Sequence, residues 1–201
     1  MNIVLIGMKH CGKTTIGTGL ADADESPFFD VDDLIQVLYA ERTGTPKSVR
    51  SIFREHGAEY FADLEANAVI ELQKVLMNCD GPSVIGLGGR TALNPRVREM
   101  LPHLGLIVYL QVDPETLWQR VQAGGIPPFL DADRPEESFM ELYEQRREAY
   151  ESLAQVTVNL DGLDPEEAVG TVRSTVDAFV AMIGGTDGCG SCGHCGGCGG
   201  H

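Results

Sequence analysis

Long apolar runs are missing from this chain. Nothing in it approaches the ~18 consecutive apolar residues that cross a bilayer. The apolar start Ile3-Val4-Leu5-Ile6 is four residues long with no cleavage region behind it, so it reads as a buried strand rather than a signal peptide. Cytoplasmic location and no membrane partner are the expectations. Basic residues are scarce too: 15 Lys and Arg stand against 30 Asp and Glu, a formal net charge of -15. A field of that sign repels nucleic acid and anionic lipid, so no nucleic-acid partner is expected, and any site for a small anion must be locally basic. Cysteine is nearly absent from the body of the chain, where only Cys11 and Cys79 occur. A disulfide scaffold does not fit that usage, and 201 residues can bury a core without staples. A monomer is the expected state.

What is present is an alternation of short apolar runs with longer amphipathic stretches. Strands are expected at Asn2–Ile6, Pro27–Val31, Ser83–Leu87, Leu106–Val112 and Val156–Leu160. Helical patterns lie at 13–23, 31–41, 48–78, 94–101, 114–123, 136–153 and 164–182. Continuously apolar strands between helices predict an α/β fold, with a parallel sheet covered on both faces. Asp164-Pro165-Glu166-Glu167 gives the last helix a cap, a first-turn proline and acids at the positive end of its dipole.

The stretch GMKHCGKTT, Gly7 to Thr15, follows the first strand and opens the first helix. Glycine, four residues, then Gly-Lys-Thr is a loop whose backbone N–H groups converge on nucleotide phosphates. Lys13 is the expected partner of the β- and γ-phosphates, and Thr14 an expected Mg²⁺ ligand. The ATP contacts expected from the loop are Gly7, Lys9, His10, Cys11, Gly12, Lys13, Thr14 and Thr15. Cys11 is explained equally by small size and by a lowered thiol pKa at a helix N-terminus. Lys9 and His10 are unusual, because such loops carry small or apolar residues there.

The second strand ends in FFDVDD, Phe28 to Asp33. Asp30 and Asp32 are expected on one side of an extended chain, one serving a Mg²⁺ shell and one accepting a hydroxyl proton. Plain helix capping is the competing reading, and it suits Asp33 better than Asp30.

These residues resemble the shikimate kinase family through nearly the whole of 1–182. The likeness runs through the loop with Lys13-Thr14, the Asp30/Asp32 pair, IFREHGAEYFADLE, IGLGG, LIVYLQVDPETL, PPFL, QRREAY and DGLDPEEAV. It implies a three-layer P-loop kinase fold on a five-stranded parallel sheet, using ATP and Mg²⁺ to phosphorylate a small-molecule hydroxyl. It makes Lys13 and Asp32 catalytic, puts Asp30 in the metal shell, and makes Asp32, Gly88, Gly89 and Arg146 the acceptor site. To these Arg90, a departure from the family's glycine run, is added as a candidate carboxylate ligand. The kinase-like domain is then 1–183, with a lid at about 123–135, and 184–201 is a flexible tail.

The departures are specific. The family's arginine after the phenylalanine of GAEYFADLE is Ala62 here, while Arg90 follows the glycine run. Without gaps, the family's lid arginine falls on Pro127 and an adenine-flanking arginine on Ala123. No Lys or Arg occurs from Val121 to Asp133. Three readings stay open: a shikimate kinase with relocated arginines, a kinase for another small acid such as homoserine with Asp63 for its amine, or a weakly catalytic nucleotide binder. Lys9 and His10 are candidates to supply the charge that the lid lacks.

Arg147 reads as an exposed ion pair on the same helix as Arg146. Cys189, Cys192, Cys195 and Cys198 recur at a constant spacing in a glycine-rich tail, and thiolates so placed can bind Zn²⁺. The run is continuous rather than two separated pairs, so a flexible tail without metal is the alternative.

Overall fold

A computed structural model describes residues 1–127 and 129–184. Five strands, β1 (Ile3–Ile6), β2 (Phe28–Asp30), β3 (Val84–Gly86), β4 (Leu106–Gln111) and β5 (Val156–Asn159), form one parallel sheet in the order β2-β3-β1-β4-β5. Ile3 stands opposite both Val84 and Leu106, so β1 is the central strand. Its four residues IVLI are all buried, as a strand covered on both faces requires. The edge strand β5 alternates instead, with Val156 and Val158 inward and Thr157 and Asn159 exposed.

The helices are α1 (Lys13–Ala23), α2 (Val31–Thr43), α3 (Val49–Leu76), α4 (Pro95–Met100), α5 (Pro114–Ala123), α6 (Pro135–Leu153) and α7 (Pro165–Gly184). Their starts are chemically marked. Asp113 Oδ2 accepts from Thr116 N at 2.9 Å ahead of Pro114, and Asn94 Oδ1 accepts from Arg96 N at 3.1 Å ahead of Pro95. Asp164 and Glu167 close a reciprocal box: Oδ1 of Asp164 accepts the N–H of Glu167, and Oε2 of Glu167 accepts the N–H of Asp164. The helix expected over 48–78 differs in one respect. Gly57 takes φ 81° and ψ -176°, which breaks α3 into two helical pieces. Periodicity runs through that break because both pieces are amphipathic, and only glycine adopts such a backbone cheaply.

The core lies on both faces of the sheet and includes Leu5, Ile6, Leu20, Ile35, Ile52, Leu64, Leu72, Ile85 and Leu101, each no more than 1 % exposed. Burial of each such side chain contributes roughly 1.5–3 kcal/mol. The approach of α1 to β2 is close: a Cβ on Gly17 would stand 2.2 Å from Phe28 Cε2. Because the chain leaves β1 toward β3 and β2 on one side, and reaches β4 and β5 on the other, a crevice opens at the C-terminal end of β1. No helix of the described residues is long and apolar enough to cross a membrane.

Candidate active site

The loop after β1 occupies that crevice. Gly7 leaves the strand at φ 147°, where a Cβ would meet Leu110 O at 2.7 Å, so only glycine fits. Gly12 sits at φ 100° as the N-cap of α1 and offers no side chain to the first N–H groups of that helix. Those groups are left for an anion, assisted by the helix dipole. Lys13 opens α1, and its ammonium donates to Gly7 O at 3.0 Å and Met8 O at 2.9 Å. The charge is thus folded back on the loop.

Thr14 Oγ1 donates to Asp30 Oδ2 at 3.0 Å, and Asp30 Oδ1 accepts from Asp32 N at 3.0 Å. Two expectations change here. Asp30, not Asp33, caps the helix after β2, while its second oxygen faces the phosphate loop. The strand ends at Asp30 and Asp32 lies in the first turn of α2, so the two carboxylates converge through a cap and not through strand alternation. Burial pushes the Asp32 carboxyl above its usual range, reinforced by Asp30 and opposed by Lys13 and Lys9.

One cleft of about 440 Å³ gathers Lys9, His10, Gly12, Lys13, Thr14, Thr15, Asp30, Asp32, Gly88 and Gly89. A Cβ on Gly88 would lie 2.5 Å from Asp32 Oδ1, and one on Gly89 would lie 3.1 Å from Lys9 N. The glycine run therefore packs side-chain-free against both the carboxylate and the loop. Tyr150 of α6 donates its hydroxyl to Gly89 O and holds that run in place.

Arg90 and Arg146 do not line this cleft. Arg90 is exposed, its guanidinium lies 5.7 Å from the Phe53 ring centroid, and it has no ion pair among the described residues. Arg146 is turned inward beside Tyr150, and its guanidinium is lowered in pKa by burial and by the Arg90 charge. Between them Glu65, 1 % exposed, accepts from Thr91 Oγ1 at 2.9 Å and Asn94 Nδ2 at 3.1 Å, and Asn94 Nδ2 also donates to Ala62 O at 2.8 Å. Burial raises the Glu65 carboxyl. Arg147, by contrast, pairs with Glu144 and Glu151 on the surface, as the sequence suggests.

Three further side chains are placed by the structure. Burial, then Lys9, Lys13 and Arg120, lower the His10 pKa. Asp63 is exposed, pairs with Arg96 Nη1 at 2.6 Å, and lines neither that cleft nor the second one that Arg120 borders. Arg120, which the sequence pattern did not single out, reaches the phosphate loop: its Nη1 donates to His10 O at 3.0 Å. Arg120 also lines a second cleft of about 280 Å³ with Cys11, Thr15, Ile16, Val112, Leu160, Leu163 and Pro165. Its sequence signal was its place in the last turn of α5, away from the buried Leu117, Trp118 and Val121. Cys189, Cys192, Cys195 and Cys198 lie outside the described residues. Among the described residues no group of three or more His, Cys, Asp or Glu could hold a metal by itself.

Comparison with known proteins agrees with this geometry. A family model for shikimate kinase matches residues 9–177. The shikimate kinase of Burkholderia thailandensis is 34% identical over 183 residues, 91% of this chain and 88% of that protein. That of Caldanaerobacter subterraneus is 32% identical over 183 residues, 91% of this chain and 98% of its own. The structure of shikimate kinase from Acinetobacter baumannii in complex with shikimate superposes with a TM-score of 0.68 at 26% identity, covering 94% of this chain and 95% of that one. A phosphate loop at the sheet's switch point, a carboxylate pair beside it and these matches have one explanation: the chain belongs to the shikimate kinase family, ATP-dependent phosphotransferases that act on a hydroxyl.

Proposed function

We propose that this chain phosphorylates a hydroxyl of shikimate with ATP. The observation that carries the reading is the line Thr14–Asp30–Asp32, which joins the phosphate loop to a buried carboxylate inside one cleft. Gly7, Lys9, His10, Gly12, Lys13, Thr14 and Thr15 bind the phosphates, and Lys13 exchanges its two carbonyl partners for phosphate oxygens. The half-apolar second cleft, with Cys11, Leu160, Leu163 and Arg120, suits the flat face of adenine. Mg²⁺ fits at Thr14 Oγ1 with Asp30 holding its water shell, where it neutralises phosphate charge. Asp32 takes the proton of the acceptor hydroxyl, and its raised pKa makes it a stronger base than an ordinary carboxylate.

Gly88 and Gly89 leave room for the acceptor ring, and Arg90 and Arg146, which lie outside the cleft lining, turn toward it to hold its carboxylate when the acceptor binds. Two arginines near one another, with Glu65 already engaged by Thr91 and Asn94, make a locally positive region in an acidic protein. The homoserine reading has less support, because Asp63 does not line the cleft and faces Arg96 on the surface. A monomeric enzyme remains the proposed state, and the ATP donor supports a cytoplasmic place of action. The domain would then be 1–183 with its lid at 123–135.

The test is turnover of Mg-ATP with shikimate, homoserine and gluconate, with the phosphorylated product identified by phosphorus NMR. Phosphoshikimate is expected. ATP binding with no product from any acceptor would overturn the reading in favour of a weakly catalytic nucleotide binder. We also propose Zn²⁺ binding by Cys189, Cys192, Cys195 and Cys198, supported by their even spacing. Zinc content should fall when the chain is cut after Gly184, and unchanged content would remove that proposal.

A further inference from the structure

The segment from Val121 to Asp133, whose Gly124 stands against the His10 ring of the phosphate loop, carries no Lys or Arg. Cations that border it from elsewhere are already engaged. Arg134 pairs with Glu137, and Arg50 donates to Ile126 O at 3.0 Å. Of the three cationic side chains lining the cleft itself, Lys13 is held by Gly7 O and Met8 O, and Arg120 by His10 O. The third, Lys9, has no hydrogen bond or ion pair among the described residues and is exposed.

Its position is fixed by backbone packing. Lys9 N lies 3.1 Å from where a Cβ on Gly89 would stand, and the neighbouring Gly88 is packed against Asp32 Oδ1. Lys9 therefore projects from the phosphate loop at the point where that loop meets the acceptor-side glycines. Its charge is felt by Asp32 across the cleft.

We propose that Lys9 is a catalytic residue that binds the transferring phosphoryl group, supplying from the phosphate loop the charge that the 121–133 segment lacks. The inference rests on the kinase reading given above. As the acceptor oxygen forms its bond to the γ-phosphorus, the bond from that phosphorus to the bridging oxygen breaks. ADP leaves with that electron pair, and the hydroxyl proton passes to Asp32. Charge then resides on the three equatorial oxygens, and a free ammonium at the loop–glycine junction is placed to meet them. Lys13, opening α1 beside the helix N-terminus, serves the β–γ side.

The experiment compares full-length wild type with Lys9→Ala and Lys9→Arg. It measures kcat, both KM values, and affinity for MgADP with and without aluminium fluoride, a mimic of the flying phosphoryl group, in the presence of shikimate. Lys9→Ala should lower kcat by at least about tenfold, as loss of a charge-stabilising group does. MgADP affinity should stay within about twofold, while the added affinity conferred by aluminium fluoride falls in step with kcat. Lys9→Arg should recover much of both. Equal losses for ADP with and without fluoroaluminate, or kcat unchanged in Lys9→Ala, would overturn the proposal. A wild type inactive on shikimate overturns the parent reading instead, and the fluoroaluminate comparison without acceptor then decides the role of Lys9 independently.

Discussion

Thr14 and Asp30, sixteen residues apart, meet through a 3.0 Å bond from the Thr14 hydroxyl to Asp30 Oδ2, and the other Asp30 oxygen caps the helix that carries Asp32. One carboxylate thus ties a metal-ligand candidate to the backbone of the candidate base. Movement of either is felt by the other.

This double use separates two substitutions. Asparagine also caps helices, so Asp30→Asn should leave stability nearly intact while raising the Mg²⁺ requirement and lowering kcat. Asp30→Ala should lose the cap as well, at about 1 kcal/mol. Urea denaturation read beside a Mg²⁺ titration of activity checks both, and equal stability losses in the two variants would contradict the capping role.

Asp32 makes a prediction about pH. Its raised pKa comes chiefly from burial, with Asp30 adding to it. Because the base must be ionised, the acid limb of kcat/KM should lie above the ordinary carboxylate range. The stability sign is the opposite of the usual salt-bridged acid. A folded pKa above the unfolded one gives stability that is present below the unfolded pKa and lost as pH rises through the folded pKa. At neutral pH the charged Asp32 therefore costs stability, and Asp32→Asn should raise Tm while abolishing most turnover. The gain in Tm should shrink as the pH falls toward protonation of the wild-type group.

Gly88 is a steric test of the same carboxylate. A methyl group there would meet Asp32 Oδ1 at 2.5 Å and Thr91 Oγ1 at 2.7 Å. Gly88→Ala must displace the proposed base, Asp32, and a shift of roughly 1 Å costs about a hundredfold in rate. ATP affinity should be unchanged, since Gly88 lies on the acceptor side. A crystal structure of the variant would show whether Asp32 has moved.

The proposed acceptor role of Arg90 can be tested against position Ala62. The segment carrying Arg90 is stitched to the helix carrying Ala62 through Asn94 and Glu65. Arg90→Ala should raise KM for shikimate by about ten- to a hundredfold, the value of a charged hydrogen bond, with little change in KM for ATP. Adding Ala62→Arg to Arg90→Gly should return part of that loss. No recovery, together with no loss in Arg90→Ala, would move the carboxylate site to Arg146 alone.

Most of the architecture is legible locally. The buried run IVLI, the glycines at 7 and 12, and Asp164-Pro165 each act within a few residues of themselves, through burial, backbone freedom or capping. That is why strands, helices and the phosphate loop were readable, and why Lys13, Thr14, Asp30 and Asp32 emerged as a group. Gly57 was not readable as a break, because the hydrophobic pattern continues on both sides of it.

The sequence by itself therefore determined the fold, the phosphate loop and the shortage of cations in 121–133. Only the tertiary structure decided which charges are free to act. Arg120 reaches the His10 carbonyl across 110 positions, Asp63 is taken by Arg96 across 33, and Glu65 is claimed by Thr91 and Asn94. Each of these is a contact between distant segments, and the raised pKa of Asp32 likewise comes chiefly from its burial in the folded chain. Spacing along a chain records neither distance nor desolvation, so Lys9 stood out in the loop as an oddity and became the cleft's unpaired cation only once its neighbours were in place.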